Sequence, residues 1–172
     1  MTSEYTPHAA ELAERNARYA AEFHDDQLTV EPRLNLAIVA CMDSRIDAFA
    51  VLGLENGDAH IVRNAGGIIT DDVIRSLCLS QRLLGTREII LVHHTDCGLQ
   101  KVNEAEFRQE LEDELGVKPW WSLETFTDPY ADVRQSIQRL TMTPFLPHKD
   151  HISGYVYDVT DGLLHDVSPS EG

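Results

Sequence analysis

Two short segments of the sequence carry side chains that could bind a metal ion and use it for catalysis. The first places Cys41, Asp43 and Arg45 within five residues, and the second places His94 three residues before Cys97. Cysteine and histidine together form a ligand set that zinc prefers. A structural zinc site has four protein ligands, whereas a catalytic site keeps one position for water or substrate. Three ligands with a nearby carboxylate therefore favour a catalytic zinc site.

Short apolar runs precede both segments and predict buried strands. A continuous run of about four to eight apolar residues is typical of a strand that is buried on both faces of a parallel sheet. A helix is predicted over 71–84, with two acidic residues in its first turn and Gly85 after its end. The three predicted strands cover 36–40, 59–62 and 88–92.

The last third of the chain predicts two helices and a pair of strands. Alternating apolar residues over 154–159 lead to a turn at Asp161-Gly162 and a short run over 163–165, which is typical of a hairpin at a sheet edge. The two helices are expected over 104–115 and 131–140. Because strands and helices alternate, the expected fold class is α/β, with a mainly parallel sheet flanked by helices and a C-terminal edge strand.

Residues 1–30 are predicted to form a helical arm. Thr6 suits the N-cap and Pro7 the first turn of a helix over 7–23, because the first turn does not need the amide hydrogen that proline lacks. This helix has few apolar residues to bury. Two arrangements stay open, an arm packed on a neighbouring subunit and an arm that is only loosely docked.

The candidate ligands and a further polar cluster all follow predicted strands. Cys41 follows the first strand, Arg63 and Asn64 follow the second, and His94 with Cys97 follow the third. In parallel sheets, ligands bind beyond the carboxyl ends of the strands. We therefore expect the three segments to meet at one edge of the sheet.

The carboxylate of Asp43 could act in two ways beside a bound zinc ion. It could accept a hydrogen bond from a water on the zinc, or it could become the fourth ligand and displace that water. Arg45 can grip the carboxylate through its planar guanidinium and hold it away from the metal. An ordinary ion pair at the end of a strand is the alternative interpretation of these two residues.

Composition is that of an acidic globular protein. The 172 residues carry a net charge of −15 and predict a single domain over 1–172. The chain has no basic stripe to neutralise nucleic-acid phosphates or anionic lipids, so we expect neither a nucleic-acid nor a membrane partner. Three cysteines are too few for a disulfide framework, and neither a signal peptide nor an apolar run of about 18–20 residues is visible. We therefore expect a cytoplasmic location.

The motifs around the candidate residues resemble those of the β-class carbonic anhydrases. The similar segments are CMDSR at 41–45, GDAHIVRNAGG at 57–67 and HHTDCG at 93–98. The short chain is similar to the compact bacterial and archaeal members of that family. The resemblance implies a homodimer, or a higher homo-oligomer, with the sheet extended across the dimer and the N-terminal arm packed on the partner.

The resemblance also implies a zinc enzyme and a role for each candidate residue. Cys41, His94 and Cys97 would bind one Zn²⁺ per subunit, and Asp43 with Arg45 would form the catalytic pair. The implied reaction is the reversible hydration of CO2 to bicarbonate and a proton by a zinc-bound hydroxide.

Several neighbours of these residues could contact the substrate or the loops of the site. Asn64, Gly66 and Gly67 match the family's turn beside the site, and Gly98 could offer a backbone N–H to bicarbonate. Each of them could equally serve the geometry of its turn alone. Asp96 is expected to orient its own loop.

We do not expect the other histidines or the third cysteine to bind the metal. His60, His93 and His165 are expected at the surface, as candidates for passing the proton to solvent. His93 should point away from the neighbouring His94, so it is not counted as a ligand. Cys78 lies with leucines on a helix face and is expected in the core.

Two other functions stay open. Relatives of these enzymes hydrolyse carbonyl sulfide or carbon disulfide on the same zinc site, and the motifs do not exclude that activity. A zinc-binding regulatory or structural protein without turnover would need Asp43 as a permanent fourth ligand. A thiol redox protein is not favoured, because the sequence has no CxxC pair.

Overall fold

The computed structural model describes residues 5–24 and 28–167. This part of the chain forms five α-helices and one five-stranded sheet. The strands are β1 (Leu36–Cys41), β2 (Ala59–Asn64), β3 (Glu88–His94), β4 (Ile152–Tyr157) and β5 (Leu164–Asp166). The helices are α1 (Ala9–Glu22), α2 (Ala48–Leu52), α3 (Asp71–Leu83), α4 (Glu104–Leu115) and α5 (Pro129–Met142). Two 3₁₀ helices, Ala65–Gly67 and Gly98–Lys101, follow β2 and β3.

The sheet is mainly parallel, with the order β2-β1-β3-β4-β5. Strand β1 pairs in parallel with β2 and β3, and β3 pairs in parallel with β4. Strand β5 is antiparallel to β4 and lies at the edge. In the β1–β3 register, Ala40 lies opposite Val92, so the two strands end side by side. The structure confirms the predicted α/β fold, its mainly parallel sheet and its C-terminal edge strand.

Burial on both faces of the sheet explains the continuous apolar runs. Every residue of β1 is buried, and the main core joins the sheet to α3 and α5. Leu77 of α3, Leu91 of β3 and Leu140 of α5 meet in this core. Burying one such leucine stabilises the fold by roughly 1.5–3 kcal/mol. Cys78 packs against the same core and is half-buried, which agrees with the role expected for it.

Helix α3 has the C-terminal glycine that the sequence predicted, together with an N-cap at Thr70 that the sequence analysis did not name. The hydroxyl of Thr70 accepts a hydrogen bond from the N–H of Val73 at 3.3 Å, which satisfies a free donor of the first turn. Gly85, with φ +77°, follows the last turn in the left-handed region that favours glycine. The helix ends at Leu83, one residue earlier than predicted.

Two other helices begin at residues that the sequence did not predict. Helix α1 begins at Ala9 after His8, so the predicted start at Thr6 and Pro7 was wrong. No residue of α1 is buried, and the core of this chain therefore does not fix where the helix starts. Helix α5 begins at Pro129, two residues earlier than predicted.

A local cap sets the start of α5, and another sets the start of the unpredicted helix α2. The carboxylate of Asp128 accepts the N–H of Tyr130 at 2.9 Å at the start of α5. Helix α2 has only five residues, too few for a helical repeat to show in the sequence. Its N-cap is Asp47, which accepts the N–H of Ala50 at 3.2 Å.

The predicted arm over 1–30 is described in part. Its residues 1–4 and 25–27 lie outside the described residues. The described helix α1 exposes Leu12 and Tyr19, and Phe23, directly after its end, is exposed as well. Over the described ranges, no helix combines the length and the apolar character that a membrane span requires.

Candidate metal centre

The first candidate ligand ends strand β1. Cys41 is its last residue and is buried, with Asn64 of β2 opposite it in the sheet. Sheet pairing continues one residue further, because the N–H of Met42 donates to the carbonyl of Asn64 at 2.8 Å. Asp43 therefore begins its loop from a fixed backbone position.

The other two candidate ligands come from the end of β3 and the tight turn after it. His94 is the last residue of β3, and Cys97 follows three residues later. Strands β1 and β3 are parallel neighbours, and the ligand atoms of Cys41, His94 and Cys97 all lie within 4.8 Å of one another. The fold thus brings together the three ligands that the sequence singled out. We expected Cys41, Asn64 and His94 to follow their strands, but each is the last residue of its strand.

The imidazole of His94 is oriented as a metal ligand would be. Its Nδ1–H donates to the carbonyl of Thr95 at 2.9 Å, so Nε2 carries the free lone pair. Nε2 is buried and has no hydrogen-bond partner among the described residues. A buried polar atom without a partner is costly, and a cation between this nitrogen and the two sulfurs would satisfy it. The donor set therefore fits a zinc ion.

The two thiols are electrostatically different before any metal binds. The Cys97 thiol beside Cys41 lowers the pKa of Cys41, and contacts with the N–H of Gly66 and with His94 lower it further, against the opposing effect of burial. The pKa of Cys97 is raised in turn, first by its contact with Cys41 and then by burial. One thiolate is thus already favoured by its surroundings, and thiolate is the form that binds metal.

A bidentate ion pair joins Asp43 to Arg45. Nε of Arg45 donates to Oδ1 of Asp43 at 2.9 Å, and Nη2 donates to Oδ2 at 2.8 Å. These hydrogen bonds hold the pKa of Asp43 well below its usual range, so the carboxylate is ionised at neutral pH. Oδ2 of Asp43 lies 3.8 Å from Nε2 of His94. The carboxylate therefore stands beside the ligand cluster while both of its oxygens are held by arginine.

Sequence reasoning missed the role of Arg63. Its Nε donates to the carbonyl of Cys41 at 2.9 Å, and its Nη2 donates to the carbonyl of Asp43 at 2.8 Å. An arginine at the carboxyl end of a strand, next to the candidate ligands, was the available signal. The side chain supports the loop backbone that carries the first ligand.

The turn after β2 lies directly against Cys41. A Cβ atom on Gly67 would lie 3.0 Å from the backbone N of Cys41, and both Gly66 and Gly67 have positive φ angles. The amide of Asn64 exchanges two hydrogen bonds with the backbone of Ile68, at 2.8 and 2.9 Å. These contacts serve the turn itself. Substrate binding by Asn64 and Gly66 stays a prediction.

Gly98 differs from the turn glycines, because a Cβ atom there would have no neighbour within 4 Å. Packing therefore does not require a glycine at this position, directly after Cys97. The open space leaves its predicted contact with substrate possible, and that contact stays a prediction.

Of the three histidines expected at the surface, only His165 is exposed. His60 is half-buried, and its ring nitrogens lie 2.8 Å from the hydroxyl of Ser80 and 3.0 Å from the carbonyl of Val30. His93 is fully buried, because β3 continues through it into the core. The expectation of a surface position was therefore wrong for His93, which has no direct access to solvent.

His93 faces Asp132 of α5 inside the protein. Its Nε2–H donates to the carbonyl of Gly67 at 3.2 Å, which leaves Nδ1 as an acceptor in the neutral ring. Nδ1 lies 3.4 Å from Oδ2 of Asp132, and both atoms are buried without another partner among the described residues. Because both atoms are hydrogen-bond acceptors, one of them must carry a proton before they can form a hydrogen bond. Burial, with a smaller effect from Glu124, raises the pKa of Asp132 to about 6, and burial lowers the pKa of His93 to about 4.

Comparison with known proteins agrees with this geometry. The sequence profile of the carbonic anhydrase family matches residues 36–164. A β-carbonic anhydrase 1 from Mycobacterium tuberculosis is 49% identical over 154 residues, which cover 90% of this chain and 94% of the relative. A carbon disulfide hydrolase from Saccharolobus solfataricus is 36% identical over 148 residues, 72% of each chain.

Solved structures lead to the same family. A carbonic anhydrase from Streptococcus mutans superposes with a TM-score of 0.88 at 42% identity, covering 95% of this chain and 99% of that one. The chain therefore belongs to the β-carbonic anhydrase family of enzymes, as the motifs in its sequence predicted.

Replacing Asp132 by asparagine should change how stability depends on pH. The folded protein keeps the Asp132 proton up to about pH 6, whereas the unfolded chain loses it near pH 3.8. The stabilisation that comes from protonated Asp132 is therefore full below about pH 4 and is lost as the pH rises through 6. The amide of the Asp132→Asn variant can donate to His93 at every pH. Relative to wild type, the free energy of unfolding of the variant should rise by roughly 2–3 kcal/mol between pH 4 and 7.

Urea unfolding of both proteins across this pH range, in the same metal state, measures the difference. Asp150→Asn, which removes an exposed carboxylate, is the matched control and should give a curve parallel to wild type. Parallel curves for Asp132→Asn and wild type would show that Asp132 does not hold the proton.

Proposed function

We propose that this protein is a zinc-dependent carbonic anhydrase that converts CO2 to bicarbonate and a proton, reversibly. One observation carries the proposal, the convergence of two sulfurs and the unpartnered Nε2 of His94 beside a carboxylate that arginine holds. Cys41, His94 and Cys97 would hold one Zn²⁺ per subunit. When bound there, zinc lowers the pKa of a coordinated water and so makes a nucleophile available near neutral pH.

Asp43 is proposed to accept a hydrogen bond from the water that attacks the substrate and so to orient it. Its pKa is held low by Arg45, so it is an acceptor across the neutral range. Arg45 occupies both carboxylate oxygens and so opposes movement of Asp43 onto the metal. The alternative, in which Asp43 closes the coordination of the zinc as a fourth ligand, describes a resting or non-catalytic protein.

Carbon disulfide is the second candidate substrate. The carbon disulfide hydrolase of Saccharolobus solfataricus is 36% identical, against 49% for the mycobacterial β-carbonic anhydrase 1. The higher identity and the wider coverage support CO2 as the first choice. Carbonyl sulfide belongs with carbon disulfide as an alternative, because both are linear molecules that present a similar carbon to the same nucleophile.

A homodimer is proposed as the working form. Helix α1 buries none of its residues within its own chain, and Leu12 and Tyr19 of the helix, with Phe23 directly after it, are exposed. An apolar helix surface of this kind gains stability by packing on a partner. A single domain over 1–172 and a cytoplasmic location are proposed with it. None of the three cysteines, all of them in the described ranges, forms a disulfide, which supports a reducing compartment.

The choice of substrate is tested on the zinc-loaded wild-type protein. Stopped-flow CO2 hydration and release of hydrogen sulfide from carbonyl sulfide and carbon disulfide should be measured side by side. We expect rapid hydration and little sulfide. Fast sulfide release with negligible hydration would reverse the assignment, and neither activity would favour a non-catalytic zinc protein.

Asp43→Ala should keep zinc and lose most of its activity. The three metal ligands remain, but the acceptor beside the metal is gone, so kcat/KM should fall by about 10²-fold or more. Zinc content by atomic absorption and CO2 hydration on the same sample measure both effects. Wild-type activity in Asp43→Ala would remove the residue from the mechanism, and loss of zinc would make it a ligand.

Cys41→Ser should lose zinc at equilibrium. A serine hydroxyl is rarely deprotonated at neutral pH and is a poor replacement for a thiolate. Dialysis followed by metal analysis measures the loss. Cys78→Ser is the matched control, because this half-buried thiol lies outside the ligand cluster and its replacement should leave zinc in place. One zinc per chain in Cys41→Ser would refute the assignment of this ligand.

A further inference from the structure

Asp96 occupies an unusual backbone position between two of the candidate ligands. It lies in the turn from His94 to Cys97 and has φ +56°, in the left-handed region that few residues other than glycine, asparagine and aspartate adopt. Its carboxylate is half-exposed. The turn places both its carbonyl and its carboxylate on the side of Arg45.

The guanidinium of Arg45 contacts Asp96 as well as Asp43. Its Nη1 donates to Oδ2 of Asp96 at 2.9 Å, and its Nη2 donates to the backbone carbonyl of Asp96 at 3.0 Å. The Nε and Nη2 groups at the other edge of the same guanidinium bind Asp43. One planar group therefore joins the loop after β1 to the loop after β3, and each loop carries a candidate cysteine ligand.

A guanidinium that is bound at two edges is held in position more firmly than one bound at a single edge. The side chain of Arg45 is 44% exposed, whereas that of Asp43 is 18% exposed, so water reaches the guanidinium more readily than the carboxylate that it binds. The contacts to Asp96 add a second fixed point on the opposite loop. They limit both rotation of the guanidinium and any shared movement of Arg45 and Asp43 toward the ligand cluster.

Lys101 completes the charge balance of this group. Its Nζ contacts Oδ1 of Asp96 at 2.5 Å, on the oxygen that Arg45 does not use. Asp43 and Asp96 are thus matched by Arg45 and Lys101. Lys101 also supplies the competing explanation, in which Asp96 serves only to anchor the 3₁₀ helix Gly98–Lys101.

We infer that Asp96 is a positioning residue that, through Arg45, fixes the carboxylate of Asp43 beside the metal centre and off the metal. The inference rests on the proposed function for its kinetic part. Its structural part concerns only which atoms coordinate the metal, and that can be observed without turnover.

The variants are chosen to keep the turn intact. Asp96→Gly and Asp96→Asn both tolerate the positive φ angle, and Asn keeps a side-chain oxygen that can accept from Arg45. Lys101→Met removes the competing ion pair and leaves Asp96 free to bind Arg45. Each change is also made in the Asp43→Ala background.

Kinetics are measured on the zinc-loaded proteins, with whichever of CO2 or carbon disulfide the wild type turns over. Asp96→Gly should lower kcat by about tenfold to a hundredfold with little change in KM, as a small misplacement of a catalytic group does. Asp96→Asn should lose less, and Lys101→Met should match wild type. In the Asp43→Ala background, Asp96→Gly should cause no further loss, because its effect passes through Asp43.

Cobalt-substituted protein gives the readout that does not depend on activity. The visible absorption bands of Co²⁺ report its ligands, so Asp96→Gly should shift them relative to wild type, and the same change in Asp43→Ala should not. Three results would each overturn the inference. They are an unshifted spectrum in Asp96→Gly, an equal shift when Asp96→Gly is made in the Asp43→Ala background, and the same shift in Lys101→Met. A wild type that turns over neither substrate would overturn the proposed function, while the spectra would still decide the role of Asp96.

Discussion

The parallel pairing of β1 with β3 is the constraint on which the candidate metal centre depends. Cys41 ends one strand and His94 ends the other, so the sheet register sets the separation of two ligands that are far apart in sequence. The loop that continues from His94 then brings Cys97 to the same place. Because the hydrogen bonds of the sheet and the buried core of β1 fix these positions, the ligand atoms are gathered before any metal binds.

Around this edge, hydrogen bonds fix the orientation of several polar side chains and loop backbones. His94 is turned by the carbonyl of Thr95, and Arg63 supports the backbone of the first loop. His93 reaches from the core to the carbonyl of Gly67, in the turn that packs against Cys41. Groups of this kind in low-dielectric surroundings are strongly held when they are paired. The hydrogen bond from Nδ1 of His94 to Thr95 leaves the lone pair of its Nε2 for the ligand cluster.

Sequence patterns predicted the elements whose stability is local or whose burial is complete. The apolar run that became β1 and helix α3 were confirmed to within one residue. Burial on both faces, an acidic first turn and a terminal Gly85 are visible directly in neighbouring residues. The start of α1 was wrong because nothing in the core of its own chain fixes that helix. The burial of His93 was missed because it depends on α5, which lies about forty residues away in sequence.

For the site itself, the sequence alone determined the types of ligand and their order, since two cysteines and a histidine after apolar runs are chemical facts of the chain. The tertiary structure decided which atoms face one another. The free nitrogen of His94, the support from Arg63, the buried pair of His93 and Asp132, and the link from Arg45 to Asp96 all join separate elements. Such distances follow from packing between distant segments, and no local pattern in the sequence encodes them.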